Sequence, residues 1–306
     1  MAEPLISICI PAYRKAGQLA KLLESVLMQD FRDFELIVSD DSPDDAVRQL
    51  CVQYQQKLPI QYYHNQPALG SPENWNNAIR LARGQWIKLM HDDDAFAAPD
   101  SLRKLYELTG HDVSFVFCGY QRVASKGVLP PHSISAGWVQ KIRKDPRLLM
   151  VHNVIGHPSV TLHRNMPGML YDQRMKWMVD IDLYIRFLQA GSFRFSPEQL
   201  VLIGHNEQQL THTIFTNKKV VVPENLLLLE KLGIDLLDKI LVYDYCWRLM
   251  RNYSVEDMKE LQALSPVPVP VKLERLLRFQ RLFPAWLLNW GPASKALMLM
   301  SWLLNR

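Results

Sequence analysis

The sequence predicts an α/β fold: a mostly parallel sheet flanked by helices, with a C-terminal helical extension. Three observations predict it. Short β-branched runs alternate with stretches of helical spacing through four successive strands. The fourth run lies in residues 84–94 (GQWIKLMHDDD), apolar enough for a strand covered on both faces and closed by three adjacent carboxylates. From about Asn217 the strand signals fade and leucine-rich helical stretches take over.

In chain order, residues 5–10 (LISICI) read as a first strand stopped by Pro11. Leu19, Leu22, Leu23, Val26 and Leu27 give residues 16–29 helical spacing. Residues 34–38 (FELIV) form a second strand that ends at Ser39-Asp40-Asp41-Ser42, residues 46–55 a helix, and residues 60–63 a third short strand. A loop with Pro67, Gly70 and Pro72 leads to a helix over 73–83 and then to the acidic strand. This alternation implies parallel strands with helices on both faces.

Beyond Pro99 the pattern predicts a helix over 101–108, capped by Asp100 or Ser101, and a strand over 113–118. Residues 120–139 read as a loop broken by Gly127, Pro130, Pro131 and Gly137. A short helix over 145–151, a strand over 159–163 and a helix over 177–189 ending at Gly191 follow. Residues 193–195 and 200–203 read as short edge strands, and 205–216 as a polar loop. Helices are then expected over 223–237, 238–253, 255–264, 272–283 and 292–304, with an extended proline-rich spacer at 265–271 (SPVPVPV). The expected division is 1–216 and 217–306.

The 306 residues are long enough for a full core, and the 48% hydrophobic fraction with mixed charge excludes a disordered chain. A net charge of +4 with no nucleic-acid-binding motif gives no reason to expect nucleic acid. Cys9, Cys51, Cys118 and Cys246 are far apart, as expected of reduced, buried cysteines in a cytosolic protein. No basic region precedes the first apolar run, so no secretory signal is expected, and no run is long enough to span a bilayer.

Asp92, Asp93 and Asp94 are like charges side by side, unfavourable unless something positive sits on them. They form either a solvated turn or a site for a hard cation such as Mg²⁺ or Mn²⁺. Ligands of open α/β sheets bind beyond the carboxyl ends of the strands, where this strand delivers its acids.

Four blocks, ISICIPAYRK, FELIVSDDS, NWNNAIRLARGQWIKLMHDDD and VDIDLYIRF, agree in order and spacing. Together they resemble the family 2 inverting glycosyltransferases, over roughly residues 5–216. The resemblance implies a Rossmann-like GT-A sheet and a nucleotide diphosphate sugar as donor, a UDP-sugar favoured. It further implies Mn²⁺ or Mg²⁺ as cofactor and a glycan or lipid-linked glycan as acceptor, in bacterial surface polysaccharide synthesis.

The family's acidic motif usually reads D-x-D-D. Aligned without a gap from Gly84, its leading position holds His91, the metal ligand falls on Asp93, Asp92 lies near the ribose, and Asp94 is its neighbour. Aligned backward from Pro99, Asp94 becomes the ligand; Asp93 is preferred because a strand resists insertions better than a loop. Pro11, Tyr13 and Asp41 match the base-binding positions, and Asn76 the family's helix asparagine. Tyr13 is suited to stack on the base and Asp41 to accept from it.

Inversion needs a general base on the face opposite the leaving group. The resemblance puts Asp180 there, with Val179 in place of the usual Glu; an N-cap role is the alternative. Asp182 with Arg186 reads as an i,i+4 ion pair. His157, His205 and His212 are candidates for acceptor or diphosphate contacts, although a lone histidine is more often structural.

Residues 272–306 carry six cations against the single acid Glu274, with many leucines and aromatics. Such a segment suits an anionic membrane surface, packing on the catalytic domain, or a homo-oligomer contact. His91 and Val179 leave room for a second function class, a degenerate binding scaffold in a glycan-assembly complex. A nucleotidyltransferase is disfavoured because no Gly-rich phosphate loop follows the first strand.

Overall fold

The structure, a computed structural model, describes residues 3–124, 127–205 and 216–306, and the backbone but not the side chain of His205. It divides into two compact units. The first comprises Met1–Pro146, Val154–Gln173 and Val179–Gln209; the second comprises Arg147–Asn153, Arg174–Met178 and Leu210–Arg306. The second therefore takes in two short segments that precede the division expected at 217. Specific bonds account for this. Glu224 accepts from the backbone N–H groups of Lys176, Trp177 and Met178 at 2.8, 2.7 and 2.9 Å, and Arg147 bonds Asp235 and the Leu232 carbonyl.

The first unit is a sheet flanked by helices. Its strands are β1 (Ile6–Ala12), β2 (Phe34–Asp40), β3 (Ile60–His64), β4 (Trp86–Leu89), β5 (Ala95–Phe96), β6 (Val113–Ala124), β7 (Gly127–Val128), β8 (Thr161–Arg164) and β9 (Ser192–His205). Its described helices are α1 (Ala16–Leu27), α2 (Ala46–Tyr54), α3 (Glu73–Arg80), α4 (Ser101–Glu107), α5 (Ala136–Lys144) and α6 (Val179–Ala190). The strand order is β3-β2-β1-β4-β8-β6-β9-β5, with β7 paired to β6. The first four strands are parallel, as the alternation predicts, whereas β8 runs antiparallel to both β4 and β6. Every residue of β1, β2 and β4 is buried, which is why these runs are apolar rather than alternating.

Three expectations are corrected. Pro11 does not stop β1. The Cys9 carbonyl accepts from Met90 on the β4 side, so Pro11, two residues on, faces the same side, where pairing with β4 has ended and no N–H is needed. Residues 193–203 form one strand inside the sheet, not two edge strands. Pairing with β6 jumps from Ser196 to Gln199, and Gly119 sits opposite the bulge because a Cβ there would meet the Pro197 carbonyl at 2.6 Å. Residues 120–139 are not all loop: β6 continues to Ala124, and α5 begins behind Ser135, whose hydroxyl caps Trp138.

The second unit is helical: α7 (Lys218–Leu232), a 3₁₀ turn (Ile234–Asp238), α8 (Ile240–Asn252), α9 (Met258–Leu264), α10 (Val271–Gln280), α11 (Ala285–Asn289) and α12 (Gly291–Leu304). Tyr243 and Trp247 of α8 are fully buried, and Leu273, Leu276 and Leu277 pack inward from α10. That part of the expected C-terminal surface is therefore core. Among the described residues no helix is long and apolar enough to cross a membrane. All four cysteines are free and buried.

Candidate active site

Strand order reverses at β1, which has β2 on one side and β4 on the other. The carboxyl ends of β1 and β4 therefore open onto the crevice where such sheets bind ligands. Here the two strand ends are tied together. The Tyr13 N–H donates to Asp92 Oδ2 at 3.1 Å, and Lys15 Nζ lies 2.8 Å from Asp93 Oδ2 and 3.4 Å from Asp92 Oδ1. Between them Arg14 takes a left-handed φ of 61°, with its N–H on the Ser42 hydroxyl at 2.8 Å. Such a strained residue persists only where its surroundings fix it. Burial works against the Lys15 ammonium, but Asp92 and Asp93 outweigh it and hold its pKa above the usual lysine value.

The three acids have different surroundings. Asp92 is buried, which pushes its carboxyl up to about 6 against the pull of Lys15. Asp94 turns into the protein, accepting from the Gly204 N–H at 3.0 Å and from the Ser159 hydroxyl. Burial, reinforced by the neighbouring Asp93 charge, lifts it to about 7. Gly204 is required at that contact, since a Cβ would come within 2.3 Å of the Asp93 carbonyl oxygen. Asp93 is the least buried of the three and holds the Lys15 ammonium most closely, at 2.8 Å. Among the described residues no three His, Cys, Asp or Glu side chains converge in metal-binding reach. The donor set still fits a hard divalent ion of the Mg²⁺ kind, which is held by one or two carboxylates and completed by substrate phosphates. A cation already stands at Asp93.

Behind the acids lies Lys88, fully buried on β4, its ammonium bonded to the Ser159 and Thr161 carbonyls. Burial lowers it to about 8. His91, at the motif's leading position, donates its N–H to Ser159 Oγ at 2.9 Å, while its buried Nε2 has no partner. Burial brings its pKa down to about 4, so the ring is neutral at physiological pH. Trp75 of α3 lies between two rings, 4.8 Å from His91 and 5.1 Å from Tyr171. The Tyr171 hydroxyl is also buried without a partner.

Asp180, second residue of α6, keeps some exposure, yet its Oδ1 is buried with no hydrogen-bond partner. Desolvation pushes its carboxyl up to about 7. No N-cap bond from Asp180 is seen, whereas Asp182 forms the expected pair with Arg186, at 2.8 and 3.0 Å. His157 packs edge-on to Tyr120 at 5.4 Å, and burial lowers it to about 4. The His205 side chain and all of His212 lie outside the described residues.

Two sequence-predicted nucleotide residues are otherwise engaged. The Asn76 side chain is 1% exposed and exchanges hydrogen bonds with the Tyr171 backbone in both directions, at 2.8 and 2.9 Å, so it fastens that segment to α3 instead of lining the crevice. Asp41 is also buried; it accepts from Asn65, the Leu69 N–H and the Gly70 N–H at 2.9, 3.0 and 2.7 Å. Tyr13 remains 49% exposed at the end of β1, with the Arg14 guanidinium 5.0 Å over its ring. Sequence reasoning missed Lys15, Trp75, Tyr171, Ser159 and Gly204. Lys15 and Trp75 stand inside quoted blocks, and the Lys15 charge could have been matched to the acids; Tyr171, Ser159 and Gly204 lie outside those blocks.

The family description "Glycosyl transferase family 2" matches residues 7–165. The chain is 28% identical over 213 residues to the putative colanic acid biosynthesis glycosyl transferase WcaA of Escherichia coli (strain K12), covering 68% of this chain and 76% of that protein. Its structure is similar to S. aureus TarS 1-349 in complex with UDP-GlcNAc, with a TM-score of 0.65 at 15% identity, covering 98% of this chain and 92% of that one. It is also similar to the mannosyltransferase PcManGT from Pyrobaculum calidifontis in complex with GDP-Man and Mn²⁺, with a TM-score of 0.56 at 16% identity, covering 100% and 88%. The reversed strand order, the acids closing β4 and the matched family thus agree: the chain belongs to glycosyl transferase family 2, has the GT-A fold, and is a glycosyltransferase.

Proposed function

We propose that the protein is an inverting transferase that moves a sugar from a nucleotide diphosphate sugar, a UDP-sugar first among the donors, to a hydroxyl of a bacterial surface glycan or lipid-linked glycan, working in the cytoplasm at the inner face of the cell membrane. The observation that carries the reading is Asp180, whose buried Oδ1 has no partner and whose carboxyl is pushed up to about 7. A base of that strength suits an alcohol proton released as the acceptor oxygen bonds the anomeric carbon. In the same step the bond from that carbon to the diphosphate oxygen breaks on the opposite face, and the proton passes to Asp180.

Tyr13, beside Pro11, stacks on the base. Asp41 has three acceptor positions filled, which leaves one for a base N–H. Asp92 faces the ribose, and Asn76 acts by holding α3 against the Tyr171 segment. Asp93, with Asp94 anchored behind it, would hold Mn²⁺ or Mg²⁺; Lys15 yields that place or shares it. When bound, the ion supplies Lewis-acid relief of the charge on the departing diphosphate. His157, His205 and His212 are assigned to the acceptor or diphosphate side. Support comes from the solved structures of similar fold, which hold UDP-GlcNAc, or GDP-Man with Mn²⁺, and from the colanic acid enzyme among the relatives.

A binding-only role has one observation in its favour: Asp94 is committed to protein donors. Donor hydrolysis and transfer, measured over a panel of nucleotide sugars with Mn²⁺, separate the two. Turnover lost in Asp180→Asn and Asp93→Asn supports the transferase. A wild type that binds donor but turns over none of the panel supports the scaffold.

A further inference from the structure

In the second unit, α12 is turned inside out relative to an ordinary surface helix. Its inward stripe is mostly polar: Ser294, Ser301 and, just past the helix end, Asn305 are buried, with Met298 as the apolar member. Each polar member is bonded. The Trp247 indole N–H donates to Ser294 Oγ at 3.1 Å, Ser301 Oγ pairs with the Tyr243 hydroxyl at 2.8 Å, and Asn305 donates to that hydroxyl at 2.7 Å. The outward stripe is apolar: Leu299, Met300, Leu303 and Leu304 are 41, 52, 56 and 70% exposed. These positions recur at i, i+1, i+4 and i+5, one side of a helix. The preceding segment does the same, with Leu282, Trp286 and Trp290 at 73, 71 and 60%. A water-facing helix puts its polar residues outward, and apolar exposure on this scale marks a contact surface.

Charge decides what the surface contacts. From Arg275 to Arg306 there is no Asp or Glu, while Arg275, Arg278, Arg281, Lys295 and Arg306 are all exposed. A cationic segment with no acid of its own disfavours contact with a second copy of itself. Tryptophans beside cations, with leucines between, match the polar-apolar boundary of a bilayer rich in anionic lipid. No described helix is long and apolar enough to span, so the contact is peripheral.

We infer that α11, α12 and the Arg275–Leu282 segment form an in-plane docking surface for an anionic phospholipid bilayer, with Trp286, Trp290, Leu303 and Leu304 entering the interface. This deepens the membrane-side location proposed above and rests on it only for its biological setting. Lipid binding can fail while the transferase reading stands, and the reverse also holds.

The test is flotation of the full chain with phosphatidylcholine vesicles, with and without phosphatidylglycerol, at low and high salt. Donor hydrolysis is measured in parallel without lipid. The wild type is expected to float with the anionic vesicles and to be released by salt. Arg275→Gln, Arg278→Gln and Arg281→Gln together should weaken vesicle affinity by roughly fivefold for each charge removed. Leu303→Gln with Leu304→Gln should abolish flotation and leave donor hydrolysis unchanged. Absence of flotation on anionic vesicles, or equal flotation on neutral ones, overturns the inference. A dimer in sedimentation velocity that the leucine pair dissolves, without flotation, also overturns it and assigns the face to a second copy.

Discussion

The ends of β1 and β4 and the outer side of α12 break the same partition rule in opposite directions. Around the strand ends and in the first turn of α6, polar atoms are buried beyond the partners available: His91 Nε2, the Tyr171 hydroxyl and Asp180 Oδ1 have none. On α12, leucines that could have been buried face out while serines take the interior. Buried orphan polar groups cost about 1–3 kcal/mol each, and exposed apolar stripes forgo burial of ~25 cal/mol per Å². On the readings proposed above a ligand offsets each cost, a small polar one in the first place and an extended apolar one in the second. Within the sheet, β1, β2 and β4 are uniformly buried and follow the rule.

The largest effect expected is at Asp180. Asp180→Asn should lower kcat by about 10²–10⁴-fold with little change in donor KM; an unchanged kcat would remove Asp180 from the chemistry. Asp93→Asn should cost roughly 10²-fold or more and abolish the response to Mn²⁺. A variant that still titrates with the ion would move the cation site elsewhere.

The wild-type pH–rate profile sharpens the strand-end half of the comparison. With the base pushed up to about 7, kcat/KM should fall as pH drops through that value, and Asp180→Asn should erase the limb. Stability runs the other way. Asp92, Asp94 and Asp180 have folded pKa values of about 6, 7 and 7, above the ordinary 3.8. The folded state therefore binds more protons between pH 4 and 7, and stability declines as pH rises through that window. Asp180→Asn should raise thermal stability above pH 7, by about 1–2 kcal/mol, by removing an unpaired buried charge.

The smallest effects test the α12 half. Ser301→Ala, which strips the buried Tyr243 hydroxyl of one partner, should cost about 1 kcal/mol in urea unfolding. Leu303→Gln on the opposite side should fall within about 0.5 kcal/mol of wild type. If leucine mattered more than serine, the inside-out reading of this helix would be wrong.

Much of this was legible in the chain. The strands from LISICI to the acidic run, the helices between them and the four motif blocks all carry local periodicity or fixed spacing, which sequence displays directly. Even the Asp182–Arg186 pair follows from an i,i+4 separation. The errors fell where a partner from far along the chain decided the outcome. Pro11 stayed in β1 because its neighbour strand had ended, and residues 193–203 joined into one strand because Gly119 could face the bulge. The backbone partners of Asn76 and Asp41 likewise come from far along the chain and are not displayed by local pattern.

By itself, the sequence determined the family, the alternation of strands and helices, and the types of group at each strand end, because these depend on composition and near-neighbour spacing. Only the tertiary structure decided which of the three acids faces outward, which polar atoms are left without partners, and which side of α12 is covered. Burial and hydrogen bonding are settled by residues tens to a hundred positions away, such as Gly204 against Asp94 and Tyr243 against Ser301. Local pattern carries no record of those encounters.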